Sequence, residues 1–357
     1  MKNLNYITYD AWWDTDITVL DSLKSRFNLT VHVINGAGEK KYNSKFCKDI
    51  KIIEYNQHFK TWNLQRIRES CSIFFSIYNK CKTDDYVFYI LGSDILFKLL
   101  FLLFFSSRRV IISSHNYIEH CDVRGGFNDH IKKLYYKKFK KFHFFSKQQS
   151  LLFSKDYPNK STFFSSMPPK DYGILPKREN CDKVSFLFFG FIREYKRLDL
   201  FIKAANIISR TYDNVEFYIA GACENWAYYD KMIKSQSIKL NIGFINNEDI
   251  PKIFSNTDYL VLPYDDSTQS GPALIALNYC KPIIASNLQV FEDIIHDGEN
   301  GYIFTKGDLT SLIRVMSNCL KLSQSDYQYL VRNQLIYKKR MLSNDSLGQK
   351  LCDFLNA

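Results

Sequence analysis

Apolar runs of roughly four to eight residues alternate along this chain with longer stretches whose apolar positions recur every three or four residues, the pattern of buried parallel strands joined by helices. Leu4–Thr8 and Leu29–Ile34 read as strands flanking a helix over Ile17–Arg26, with Ile17, Leu20 and Leu23 on one face and Asp14 or Thr15 as its cap. Ile52–Tyr55, Tyr86–Leu91 and Val110–Ser114 continue the strand series, and Asn63–Cys81 and Asn128–Lys141 supply helices. Phe142–Ser146 is expected to close this first sheet, before a short helix over Lys147–Lys155. SSMPPKDYGILPKRENCDK (165–183) then mixes three prolines with polar residues, which marks a linker. From Val184 the alternation resumes: VSFLFFGF, a helix over Leu198–Arg210, VEFYIAG, a helix over Trp226–Gln236, a strand near Ile238–Phe244 and a helix over Glu248–Ser255. The pattern predicts an α/β protein with doubly wound parallel sheets. Its parts are 1–165, a linker at 166–183, a second domain at 184–335, and a last helix within 336–357 that packs back on the first domain.

In such sheets ligands sit at the carboxyl ends of the strands. TDYLVLPY (257–264) is a buried strand, 265–269 a polar loop, Ser270-Gly271-Pro272 a helix start, and KPIIAS (281–286) the next strand. The free N–H groups of that helix point back at the strand end, where a phosphate or sugar oxygen can bind. An ordinary ligand-free connection fits the same residues. GFIREYKR (190–197) also joins a strand to a helix. Its Arg193 and Lys196 suit a diphosphate, or are plain surface charge.

The chain has 357 residues, enough for two domains with their own cores. Its 46% hydrophobic and 24% charged content is that of a globular protein. A net charge of +11 points to an anionic partner: a nucleotide, a nucleic acid or an acidic membrane surface. Nine scattered cysteines without a CxxC pair argue against a disulfide framework or a zinc site. No signal-peptide pattern opens the sequence. Tyr86–Ser107 is apolar enough to suggest a membrane span, but Asp94, Lys98 and the Gly92-Ser93 break favour a strand followed by a helix. Seven lysines lie between Lys132 and Lys147 with Tyr135, Tyr136, Phe139 and Phe142 interleaved and no carboxylate. This is a membrane-contacting helix, a nucleic-acid face, or a solvated lysine face over buried aromatics. No recognised nucleic-acid motif supports the second.

FFGFIREYKRLDLFIKAA, VEFYIAGA, NIGFINNEDIPKIFSNTDYLVLPY and TQSGPALIALNYCKPIIASNLQVFEDIIHDGENGYIF resemble, in order and spacing, the donor half of family 4 glycosyltransferases of the GT-B fold. His115-Asn116 with His120 is similar to a segment of the acceptor half of many members. The resemblance implies two Rossmann-like domains facing a central cleft, a nucleoside-diphosphate sugar donor, no metal or other cofactor, and transfer with retention. It implies catalytic roles for His115, Arg193 and Lys196, the two cations neutralising the departing diphosphate. Donor contacts fall on Gly190, Gly221, Phe244, Ile245, Gln269, Ser270, Gly271, Pro272 and Glu292. His115 and His120 also read as satisfied structural histidines. The usual glutamate pair falls on Ser267 and Ile275, and the arginine that often follows the strand-end glycine is Phe191, so the chain looks like a TQSG-type variant. Trp12, Trp13, Asp14 and Asp16 replace the glycines common in the first loop; with His120 they suit a sugar acceptor, and a packed Trp pair with a helix cap fits equally. The expectation is a retaining glycosyltransferase acting on a saccharide, lipid-linked, acceptor in cell-surface polysaccharide assembly. It would work in the cytoplasm at the inner face of the membrane, held to anionic lipid by Lys132–Lys147, with no nucleic-acid partner. A non-catalytic GT-B partner subunit and a nucleotide-sugar epimerase are the alternatives.

Overall fold

A computed structural model describes residues 1–36, 50–59, 63–92, 94–114, 117, 127–178, 182–343 and 346–357. The chain forms two units, Met1–Pro168 with Met341–Ala357, and Pro169–Arg340.

Unit 1 runs β1 (Asn3–Tyr9), α1 (Trp13–Lys24), β2 (Asn28–Asn35), β3 (Lys51–Asn56), α2 (Leu64–Cys81), β4 (Tyr86–Ile90), α3 (Ile95–Phe104), β5 (Val110–Ser114), α4 (Phe127–Lys138), β6 (Lys141–Phe144), α5 (Lys147–Asp156) and β7 (Ser161–Phe164). All seven strands are parallel, in the order β3-β2-β1-β4-β5-β6-β7. The apolar strands are buried on both faces. One face packs on α2 to α5 through rings such as Phe74, Phe101 and Tyr135; the other packs on α1 through Leu20 and Leu23.

Two expectations need correction here, and two segments that left alternatives open take one of them. β7, not the Phe142–Ser146 segment, closes the sheet: STFF is an edge strand, which needs few apolar residues to hold its register. The helix expected from Ile17 begins at Trp13, after a 3-10 turn over Asp10–Trp12, and its N-cap is Trp12 with no side-chain bond. Thr15 is 3% exposed inside the helix, so burial of an apolar stripe, not a cap, sets this start. The aromatics of the lysine-rich stretch are core: Tyr135, Tyr136, Phe139 and Phe142 lie between 0% and 3% exposed. Finally, the segment from Tyr86 is strand, break and helix, and among the described residues no helix is long and apolar enough to cross a membrane. At that break a Cβ on Gly92 would sit 1.9 Å from the ring of Tyr9, so only glycine lets β1 and the chain after β4 approach.

Unit 2 runs β8 (Val184–Phe189), α6 (Leu198–Ile208), β9 (Val215–Gly221), α7 (Trp226–Asp230), β10 (Ile238–Ile242), α8 (Ile250–Ser255), β11 (Tyr259–Leu262), α9 (Gly271–Asn278), β12 (Ile283–Ser286), α10 (Gln289–Glu292), β13 (Gly301–Phe304), α11 (Leu309–Cys319) and α12 (Gln324–Ser343). Its six parallel strands order as β10-β9-β8-β11-β12-β13 around one core. The stretch before β8 is tied to the sheet rather than loose: Arg178 donates to Asp258 (2.5 Å), and Asp258 accepts from the Ser185 N–H (2.8 Å). The unit boundary falls within α12. The last helix, α13 (Leu347–Asn356), packs on α1 within unit 1, where the Gly348 N–H donates to Ser22 Oγ (2.9 Å).

Candidate functional site

In the second sheet the strand order reverses between β8 and β11, so the loops leaving these two strands diverge and open a crevice at their carboxyl ends. Gly190 ends β8 with φ 104, a conformation that favours glycine. A Cβ there would lie 3.3 Å from Pro272 Cγ and 3.5 Å from Lys196 Nζ. The strand end, the lysine ammonium and the start of α9 thus converge on one spot. Gly221 ends β9 beside it, and a Cβ on Gly221 would fall 2.1 Å from the Gly190 carbonyl oxygen. The two backbones touch, which requires glycine.

Lys196 is 9% exposed, with its ammonium 5.4 Å from the centroid of Tyr264. Burial, helped by nearby Arg193, pushes its pKa down to about 8. Among the described residues neither Lys196 nor Arg193 has a carboxylate within ion-pair reach. Arg197 is different: it donates to Asp199 (2.9 Å) and to Asp265 (2.8 Å) from a left-handed backbone at φ 51. Asp265 also donates its N–H to the Tyr195 carbonyl (2.7 Å), so two bonds stitch the loop after β8 to the loop after β11. Nothing in the sequence pattern singled out Arg197; its one signal was a carboxylate two residues on, at Asp199.

Ser270 caps α9 by accepting from the Ala273 N–H, and Gly271 and Pro272 open the helix. Nothing stands within 4 Å of where a Gly271 Cβ would be. Pro272 has no N–H, and Ala273 and Leu274 donate theirs to Ser270, so the first turn of α9 offers the Gly271 N–H and the positive dipole end at the crevice, beside two cations that no described carboxylate pairs. Gln269 accepts from Ser267 Oγ through its carbonyl (3.0 Å). Ile275 is 4% exposed within the core, so a carboxylate there would be buried among apolar groups. Phe244 is 83% exposed after β10 and Ile245 packs half-buried behind it; the Gly243 N–H bonds the Gly221 carbonyl and keeps this edge beside the β9 end. Glu292 is exposed at the end of α10, next to Phe291, whose ring packs 5.7 Å from that of Tyr264.

The sequence-derived residues of unit 1 fare differently. His115 and His120 lie outside the described residues, as does the side chain of Asp14. Trp13 is 1% exposed in the core, and Asp16, also 1% exposed, accepts from Tyr6 OH (2.8 Å) and Thr8 Oγ1 (2.5 Å). Both hold α1 against β1. For these two the acceptor reading gives way to the packed-core one, because a buried carboxylate needs such internal donors. Trp12 is half-buried between the two cores.

Comparison with known proteins agrees with this geometry. Residues 183–321 match the family model described as glycosyl transferases group 1. A Klebsiella pneumoniae protein described as an uncharacterized 41.2 kDa protein in the cps region is 23% identical over 140 residues, which span 38% of this chain and 37% of that one. The fold as a whole superposes on sucrose-phosphate synthase from Thermosynechococcus elongatus with a TM-score of 0.72 at 10% identity, covering 100% of this chain and 98% of the other. It superposes on Anabaena HepE, solved in complex with UDP and glucose, with a TM-score of 0.71 at 10% identity and full coverage of both. Residues 183–321, most of unit 2, therefore match the group 1 glycosyl transferase model, and the two parallel sheets are those of the GT-B fold.

Proposed function

We propose that this chain is a retaining glycosyltransferase of the TQSG-type family 4 variety, which moves a sugar from a nucleoside diphosphate to a saccharide acceptor. The observation that carries the reading is the buried Lys196 ammonium, unpaired with any described carboxylate, at the reversal point of the second sheet against Gly190 and Pro272. A desolvated cation without a counter-ion is costly unless a ligand supplies the anion. Arg193, Lys196 and the α9 N-terminus take up the charge that develops on the leaving diphosphate, so the proposal invokes no metal. Proton removal from the acceptor falls to the leaving phosphate, in a same-face substitution. His115 is the residue proposed near the reaction centre, with His120 and the Trp12 region on the acceptor side.

The acceptor we propose is a lipid-linked saccharide of a capsule-type pathway, which the relative encoded in a cps region supports. It would be reached at the inner face of the membrane. The support for membrane contact is exposure: Lys133, Lys137 and Leu134 (48% exposed) on α4 and Lys140 just after it, with Leu103 (75%) and Phe104 (43%) at the end of α3. Each lysine near anionic lipid contributes about 1 kcal/mol. Lys133→Glu/Lys137→Glu/Lys140→Glu is expected to abolish binding to anionic liposomes; unchanged binding removes the membrane assignment.

Calorimetric titration of UDP, GDP, CMP and ADP tests the donor site, with UDP first because the Anabaena neighbour holds it. One nucleotide is expected to bind the wild type and be lost in Arg193→Ala/Lys196→Ala. Binding of none removes the glycosyltransferase reading. A second reading, donor binding without transfer by a partner subunit, draws support from the core position of Ile275 and the presence of Ser267 where carboxylates are usual. Transfer of sugar from the bound nucleotide to any acceptor or to water excludes it.

A further inference from the structure

The two cations of the site that no described carboxylate pairs both stand on aromatic faces. The Arg193 guanidinium carbon lies 5.4 Å from the centroid of the Phe191 ring, and Lys196 Nζ lies 5.4 Å from that of Tyr264. Their neighbour Arg197 is held by the carboxylates of Asp199 and Asp265 instead. One loop therefore uses two different devices for its three cations. A carboxylate fixes a cation and cancels its charge in the same act. A ring face attracts a cation through its quadrupole and leaves the net charge in place. Phe191 is also odd on its own terms, being an apolar ring 41% exposed directly after the strand-end glycine.

We propose that Phe191 and Tyr264 are positioning residues that hold Arg193 and Lys196 in place without neutralising them, so that the pair meets a diphosphate with both charges uncompensated. This rests on the donor-site reading above and adds residues that touch the cations rather than the ligand. Holding two long side chains before the ligand arrives removes part of the ordering cost of binding. Arg197, pinned by Asp199 and Asp265, then serves the loop's shape and not the ligand.

Two measurements on the full chain test the proposal. In the ligand-free protein, nuclear magnetic resonance reads the ring-current displacement of the Arg193 side-chain signals. They are expected to move toward ordinary arginine positions in Phe191→Leu and to stay displaced in Phe191→Trp. Calorimetry with UDP and uridine follows. Phe191→Leu is expected to weaken UDP by about 2- to 5-fold and to leave uridine unchanged, with Phe191→Trp restoring the wild-type affinity. Tyr264→Phe keeps its ring and is expected to bind UDP as the wild type does. Arg193 signals that do not move in Phe191→Leu, or equal losses of UDP affinity in the Leu and Trp variants, overturn the proposal. If the wild type binds no nucleoside diphosphate while its Arg193 signals still depend on the ring, the donor reading fails and the ring's hold on the cation stands.

Discussion

A single lysine carries the sharpest pH prediction. Burial, with Arg193 nearby, pushes the Lys196 pKa down to about 8, so above that pH the side chain has to take up a proton to meet a diphosphate as a cation. UDP affinity is expected to hold below about pH 7.5 and then to fall by up to tenfold per pH unit, while Lys196→Arg removes the step because arginine keeps its charge. Calorimetry across that range decides it, and a flat wild-type profile contradicts it. His32 gives the stability counterpart. It is fully buried, its ring bonded to Tyr55 OH (3.1 Å) and Asn5 Oδ1 (2.9 Å), and burial followed by the charges of Lys80 and Lys51 pushes its pKa down to about 4. The unfolded ring titrates near 6.5, so between these values the unfolded chain holds more protons. The stability it contributes is full above about pH 6.5 and lost as pH falls toward about 4, roughly 3 kcal/mol in all. Urea midpoints should show that slope in the wild type and a flatter one in His32→Gln. Arg193 and Lys196 were legible because cations after a strand-end glycine form a local pattern. The Asp265 carboxylate that helps to claim Arg197 was not, since it lies 68 positions away and meets it only in the folded sheet.

Elements came through the sequence unevenly, for reasons that their packing supplies. Buried strands such as VSFLFF read plainly, because burial on both faces demands continuous apolar runs. The start of α1 did not, since Trp12 and Trp13 look like a loop until a core is present to receive Trp13. β7 was missed because an edge strand answers to one neighbour only. Two glycines at the site separate shape from function. Gly221→Ala meets the Gly190 carbonyl at 2.1 Å from a backbone at φ 147, and is expected to destabilise unit 2 by about 2 kcal/mol or more. Gly271→Ala meets nothing within 4 Å, so the melting temperature should stay put while UDP-sugar affinity drops if the donor sits at the α9 start. Thermal melts paired with calorimetry separate the two; unchanged UDP-sugar affinity in Gly271→Ala argues against a donor there.

Across the whole molecule, the two-sheet architecture followed from the alternation of runs, while the units divide at Pro168 and Pro169, so most of the stretch 166–183 belongs to unit 2. The partner of the last helix was less visible. α13 lies so close to α1 that a Cβ on Gly348 would fall 2.0 Å from the Ser22 carbonyl oxygen, a contact across more than three hundred residues that no local pattern announces. Gly348→Ala is expected to lower the melting transition of unit 1 and leave that of unit 2 in place, which differential scanning calorimetry resolves; a shift in both would mean that the units melt together. The same contact bears on how the protein is made. Unit 2 is continuous in sequence, so every residue of its sheet has left the ribosome while unit 1 still lacks α13. The half that begins first is thus completed last, and an emerging chain passes through a stage in which all six strands of unit 2 have been made while Leu347 and Leu351, the apolar cover of α1, have yet to be synthesised.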